Sequence, residues 1–161
     1  MGRGRLMRAW RVAKAARASD LSGQGAAILG GRWNHRDVPV VYLGLTPAIC
    51  CLETFVHASG RPTFPMKITA FRLPEGDDLY LKPDPRDLPE GWNSLPADRP
   101  GMDYGTRWLQ AGEQLGLIVP SAVLPLEWNL LLNPRHPAMS RVRVEDSYDF
   151  MYDERMFQAR A

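Results

Sequence analysis

Residues 30–55 read Gly-Gly-Arg-Trp-Asn-His-Arg-Asp-Val-Pro-Val-Val-Tyr-Leu-Gly-Leu-Thr-Pro-Ala-Ile-Cys-Cys-Leu-Glu-Thr-Phe, and the fold is decided there. Paired glycines at Gly30 and Gly31 leave room for a ligand to approach the backbone, and Arg32 follows at once. Asn34 to Asp37 is a polar break, after which Val38 to Leu43 has the composition of a short buried strand. Gly44-Leu45-Thr46-Pro47 predicts a turn ending in an N-cap threonine with proline at the first helical position. The helix that follows is expected over Ala48 to Ala58. A guanidinium, a phenol (Tyr42) and a carboxylate (Glu53) are thus delivered from a loop, a strand and a helix within 22 residues.

Outward from this stretch the chain reads as one domain over residues 1–161, of α+β class, with short strands and few helices. Ala9 to Lys14 alternates weakly and fits a first strand followed by a small helical turn, with a helix over Leu6 to Ala18 as the alternative. Gly23 to Gly31, with four glycines, is expected to be a flexible approach to Arg32. Phe64 to Leu73 alternates with period two, and Asp78 to Leu81 is a second short strand. Five prolines make Lys82 to Gly105 mostly loop, with Trp92 as its anchor, and Tyr104 to Leu115 suits an amphipathic helix. Leu117 to Leu126 and Asn129 to Leu132 predict two buried strands, and Arg141 to Val144 a last one. The tail after Tyr148 can dock as a strand or a short helix.

Composition excludes several classes. No run of about 18 apolar residues is present, and Arg3, Arg5, Arg8 and Arg11 break the first apolar stretch, so neither a membrane span nor a signal peptide is expected and the cytoplasm is the expected address. Cys50 and Cys51 are adjacent, so a disulfide between them would be strained, and His35, His57 and His136 are too scattered for a zinc site. No metal site is expected. The net charge of +2 is too even for a committed nucleic-acid binder, although residues 1–36 carry eight Arg or Lys against Asp20 alone. That basic segment leaves three readings: a solvated face, a DNA-binding arm, or a lining that attracts an anionic small molecule.

Four positions stand out from the residues themselves. At 100° per residue Ala48, Ile49, Leu52, Phe55 and Val56 form an apolar arc on the helix, and Glu53 falls at its edge, where a carboxylate is partly desolvated and held by packed neighbours. Arg32 suits a phosphate or carboxylate through its planar fork, or is a surface turn residue. Tyr42 ends an apolar run and by default is packed with a satisfied hydroxyl, and Trp33 is a packing residue rather than a stacking platform. Ser121 lies inside apolar Leu117 to Val123, where its hydroxyl must find a partner. It either positions a substrate hydroxyl or a neighbouring side chain, or is a core serine satisfied by backbone. No nucleophile elbow, Rossmann fingerprint or Walker loop is present.

Taken in order, Trp10-Arg11-Val12, Gly25 to Asn34, Val40-Val41-Tyr42, Leu52-Glu53, Val119 to Val123 and Asn129 to Pro137 resemble the RES domain family, named for an arginine, a glutamate and a serine. The resemblance spans nearly the whole chain. It implies a fold related to the ADP-ribosyltransferase toxins, with small sheets flanking an NAD cleft. It also implies the toxin half of a bacterial type II toxin–antitoxin pair that arrests growth by depleting NAD⁺. An Xre-like antitoxin would cover the active site in a hetero-oligomer, and DNA would be met only through that partner. The positions carried over are Arg11, Arg32, Tyr42, Glu53 and Ser121, with NAD⁺ consumed as substrate and no cofactor retained. His35-Arg36 after Asn34 and Cys50-Cys51 before Glu53 are less typical.

The residue types suit that chemistry. Breaking the nicotinamide–ribose bond develops oxocarbenium character at the sugar, which a carboxylate at Glu53 stabilises. Nicotinamide leaves neutral, so no strong acid is needed. Tyr42 is expected to stack on the ring, Arg11 or Arg32 to hold the pyrophosphate, and Ser121 to fix Glu53 or the ribose. The acceptor is water, phosphate or a protein side chain, the last making the chain a mono-ADP-ribosyltransferase. A non-enzymatic nucleic-acid-binding module is the expectation from a different class.

Overall fold

The computed structural model describes residues 7–159. Its strands are β1 (Arg8–Lys14), β2 (Val41–Gly44), β3 (Met66–Arg72), β4 (Tyr80–Leu81), β5 (Gly116–Pro120), β6 (Trp128–Leu132) and β7 (Arg143–Phe150). Three α-helices accompany them, α1 (Gln24–Leu29), α2 (Pro47–His57) and α3 (Arg99–Ala111). The α+β class is as the sequence implies. All seven strands belong to one sheet, in the order β4-β5-β6-β2-β1-β3-β7, rather than to several small ones. The sheet nevertheless has two halves, because β1 and β2 meet only at the register pair Trp10–Gly44. By contrast, β1 pairs with β3 from Arg8–Arg72 through to Lys14–Met66. Helix α2 packs over this seam, against β1, β2 and β6.

The hydrophobic pattern explains the halves. Strands β5 and β6 are covered on both faces: Leu130, Leu132 and Ile118 join Phe71 and Leu115 in one core, while Leu131, Leu117 and Val119 join Trp33, Trp108 and Leu109 in another. A strand buried on both faces reads as a continuous apolar run, which is why these two were visible in the sequence. Strand β7 is an exposed edge. Its residues pair through polar groups, Thr69 with Ser147 and Lys67 with Asp149, and Glu145 meets Arg8 at 2.6 Å. An exposed edge needs no apolar alternation, so only its beginning was foreseen and the tail's Tyr148 to Phe150 continue it. A short 3₁₀ turn at Glu154–Phe157 follows, and Tyr152 is buried against Phe150 and Phe55.

Three local expectations change. Residues 24–29 form helix α1 instead of a flexible approach: Gln24 N donates to Ser22 Oγ at its start, and the Ala26 and Ala27 carbonyls accept from Asn34 Nδ2 and Asp37 N at its end. Helix α3 starts and stops earlier than Tyr104–Leu115, because Asp98 caps Arg99 N at 2.7 Å and Gly112 turns left-handed at φ 66°. Strand β5 stops at Pro120, not Leu126, where Ser121 opens a turn. Helix α2 begins as expected, Thr46 Oγ1 accepting from Ile49 N at 3.2 Å with Pro47 behind it. Its inward face is displaced from the expected arc: Ile49 and Cys50 are buried, whereas Ala48 and Val56 are exposed. Glu53, one turn beyond both buried residues, therefore lies on the inward face rather than at its margin.

Of the basic N-terminal residues, Arg3 and Arg5 lie outside the described residues, Arg8 is paired with Glu145 and Arg11 is folded inward. Among the described residues no helix is long and apolar enough to cross a membrane.

Candidate active site

Glu53 is half-buried, and its Oε1 accepts two hydrogen bonds, from Ser121 Oγ at 2.6 Å and from Asn129 Nδ2 at 2.8 Å. Ser121 is fully buried immediately after β5. Its oxygen accepts from Val123 N and Leu124 N, both at 3.1 Å, and its own N–H donates to Glu127 O. With two amides on its lone pairs, the hydroxyl proton is directed at the carboxylate, a short charge-assisted bond. Ser121 therefore orders the 121–127 turn and fixes Glu53 with one atom. Both alternatives raised by its apolar surroundings hold at once.

Arg32 approaches from the loop after α1. Its Nη1 donates to Trp92 O at 2.9 Å and to Ser94 O at 2.8 Å, so the proline-rich loop anchored by Trp92 holds one prong of the fork. Nη2 and Nε donate to no group among the described residues. Burial lowers the Arg32 pKa, against which Glu53 first and Tyr42 second act to raise it, so the three groups share one electrostatic neighbourhood. A guanidinium stays charged under such a shift.

Tyr42 sits on β2 with its hydroxyl already spent. It donates to Asn34 Oδ1 at 2.6 Å and accepts from Trp33 N at 3.0 Å, and burial pushes the phenol pKa up. Asn34, fully buried, donates in turn to Ala26 O and Val38 O at 3.0 Å each. The space at Gly31 is filled from within: a Cβ there would stand 2.9 Å from Tyr42 Oη and 2.9 Å from Asn34 Oδ1. The glycine admits the protein's own phenol, not a ligand. Trp33 is a packing residue as expected, buried and stacked on Trp92 with ring centroids 5.7 Å apart.

Arg11 is engaged elsewhere. Its guanidinium donates to the carbonyls of Asp20 (2.6 Å), Ala18 (2.8 Å) and Arg17 (3.0 Å) and lies 5.2 Å from the Phe71 ring centre. Burial lowers its pKa, and Nε is buried without a partner. The fold thus brings Arg32, Tyr42, Glu53 and Ser121 together and turns Arg11 toward the segment that follows its own strand. Asn129 is the residue the pattern did not single out. The signal is a polar side chain next to an apolar run, as at Ser121: Asn129 directly precedes Leu130 to Leu132.

Other candidates fall away from this centre. Cys50 and Cys51 are free, and Cys50 Sγ donates to Pro47 O. His35 Nε2 pairs with Asp103 at 2.6 Å on the surface. Among the described residues no three His, Cys, Asp or Glu side chains group as a metal site. A groove of about 510 Å³ runs between residues 61–66 on one side and residues 150–152 with Phe157 on the other, and includes none of the five candidate residues. Its lining carries no carboxylate, so its size has no bearing on the chemistry at Glu53.

Known proteins match this chain over most of its length. Residues 8–153 match the family model described as the RES domain. The chain is 37% identical over 155 residues to the "Prs ADP-ribosylating toxin" of Sphingobium sp. (strain YBL2), covering 92% of this chain and 96% of that protein. It is 42% identical over 119 residues to "Toxin Res" of Yersinia enterocolitica, covering 74% and 78%. The solved M. tuberculosis MbcT–MbcA toxin–antitoxin complex contains a chain with the same fold, at TM-score 0.67 and 20% identity over 91% of this chain and 85% of that one. With the match extending from the first residue of β1 to beyond the end of β7, the chain belongs to the RES domain family.

Proposed function

We propose that this chain is the toxin of a toxin–antitoxin pair and that it cleaves the nicotinamide–ribose bond of NAD⁺. The observation that carries this is the single-sided clamp on Glu53: Oε1 is held by Ser121 and Asn129, and Oε2 carries no protein donor among the described residues. A carboxylate fixed in this way keeps its negative charge available for a sugar that becomes cationic as nicotinamide departs. Pre-oriented charge needs no reorganisation at the moment of bond breaking. The free Nη2 and Nε of Arg32 supply a two-pronged donor for the pyrophosphate. Tyr42, its hydroxyl committed to the loop, offers only its ring to the nicotinamide. Arg11, spent on the carbonyls of Arg17, Ala18 and Asp20, serves the fold rather than the substrate. With water as acceptor the products are nicotinamide, ADP-ribose and a proton.

A second acceptor has its own support. The Sphingobium relative is named for ADP-ribosylating a protein, so transfer to a protein side chain on the same Glu53 chemistry is the alternative outcome. The partner reading is supported by the rim. Leu95 follows Ser94, whose carbonyl holds Arg32, and Leu126 lies in the turn rooted on Ser121; they are 78% and 87% exposed. Apolar side chains left in water around a charged centre favour a covering protein, which in this reading is an Xre-like antitoxin that carries the contact with DNA. The pair would act in the cytoplasm, where NAD⁺ is abundant.

Purified protein free of antitoxin is expected to release nicotinamide from NAD⁺, and Glu53→Gln to abolish release with an unchanged circular dichroism spectrum. NAD⁺ left intact by the unmodified protein over long incubation would refute cleavage. Label from NAD⁺ concentrated on one protein band of a cell extract, with little free ADP-ribose, would select the transferase.

A further inference from the structure

Glu53 rides on a helix, yet of the two donors that hold it Asn129 lies in the sheet and Ser121 in the turn that follows β5. Asn129 is the second residue of β6, which lies between β5 and β2; its register partners are Val119 and Gly44. Its backbone is therefore fixed in a strand paired on both sides, whereas α2 is held by side-chain packing. Gly44, opposite Asn129, makes the reach possible. A Cβ at Gly44 would stand 2.6 Å from Ile49 Cγ2 and 3.2 Å from Cys50 Cβ, and would lift α2, with Glu53, away from the strand.

The choice of an amide is chemically specific. Both Asn129 Nδ2 and Ser121 Oγ donate to the same oxygen of Glu53. Two neutral donors on one oxygen fix the carboxylate plane and leave its charge intact. An arginine there would neutralise it, an aspartate would repel it, and an apolar residue would leave Oε1 with one donor.

We propose that Asn129 is a positioning residue for Glu53, anchoring the carboxylate to strand β6 so that Oε2 faces the substrate sugar. The kinetic consequence rests on the NAD⁺-cleavage reading above, while the anchoring itself does not. In Asn129→Ala, kcat for nicotinamide release is expected to fall about 10- to 100-fold, the effect of losing one hydrogen bond to a charged group, with KM unchanged. Asn129→Asp keeps the size and sets a second carboxyl against the first. At about pH 8 it should be nearly inactive, and it should recover toward about pH 5, where a proton held between the two carboxyls restores a donor. The other charged groups around the site, Arg32, Lys82 over the Trp128 ring and Glu127 bonded to Thr46, are common to all variants.

A merely structural asparagine predicts something else: lowered thermal stability, unchanged kcat in the folded fraction, and the same pH profile for Asn129→Asp as for the unmodified protein. Either kinetic result overturns the proposal. A third measurement separates it from the functional reading. The ¹³C resonance of the Glu53 side-chain carboxyl, assigned by its loss in Glu53→Gln and recorded without NAD⁺, should move in Asn129→Ala. If the unmodified protein cleaves no NAD⁺ while this signal moves, the reaction is wrong and the anchoring stands. If the signal stays in place, the anchoring is wrong whatever the activity.

Discussion

Two arginines set in the same family pattern end in different surroundings. Around Arg11 the chain closes on the side chain: the carbonyls of Arg17, Ala18 and Asp20 take three of its N–H groups, and Nε is buried. Around Arg32 the chain holds one nitrogen, through the carbonyls of Trp92 and Ser94, and among the described residues the remainder of the fork has no acceptor, within the electrostatic reach of Glu53. The donors are identical, so residue type does not distinguish a guanidinium spent on the backbone from one with donors to spare. The number of carbonyls that the neighbouring backbone turns toward it does.

The contrast can be broken most directly at Arg32. Arg32→Ala is expected to lower NAD⁺ cleavage by roughly 10²–10³-fold, the cost of losing a preorganised electrostatic donor, with a smaller loss of melting temperature than Arg11→Ala because two carbonyls rather than three lose their donor. Arg11→Ala should invert that result. Three carbonyls lose their charged donor, for an expected loss of about 2–4 kcal/mol of stability, read as a melting temperature lower by about 5–15 °C. The protein that remains folded should keep its kcat. If Arg11→Ala instead keeps its stability and loses activity, the assignment of roles is reversed.

Tyr42→Phe sharpens the comparison by loosening only the Arg32 loop. It leaves Asn34 Oδ1 and Trp33 N without their phenol partner and should cost about 1–2 kcal/mol, with a larger effect on KM than on kcat because the loop presents the binding arginine. The smallest effect is in alkali. Burial raises the Tyr42 phenol in the folded state above its ordinary value near 10, so the unfolded chain loses its proton first. Stability from this group is complete below about pH 10 and declines as the pH rises beyond it. Denaturant titrations should show a shallower alkaline decline in Tyr42→Phe. Some decline remains, since burial also pushes Tyr80 and Tyr152 up to about 12.

Some of the site was legible because its signals are local. Thr46-Pro47 fixes where α2 begins, since a hydroxyl cap and a residue lacking N–H satisfy the helix start with no help from the rest of the chain. The apolar runs of β5 and β6 are visible in themselves, and Ser121, polar amid the first run, marks a buried atom needing a partner, whereas Asn129 at the head of the second carries no such mark. Glu53 was visible as a carboxylate amid apolar helix residues, but its phase was off. The buried face is centred on Ile49 and Cys50, and Cys50 was not counted in the arc. The edge strand β7 was only partly visible, because its exposed residues carry no hydrophobic period.

By itself, the sequence determined the mixed class, the helix that carries Glu53 and the short list of groups able to do chemistry, because propensity, capping and hydrophobic period act over a few neighbouring residues. Only the tertiary structure decided which of those groups serve the site. Ser121 and Asn129 reach Glu53 from 68 and 76 positions away, and Arg32 meets Trp92 and Ser94 from 60 and 62. Those meetings are set by strand register and by how closely Gly44 lets α2 approach the sheet. Hydrogen bonds are directional and short, so an ångström of backbone placement, absent from any local pattern, separates a free guanidinium from a spent one.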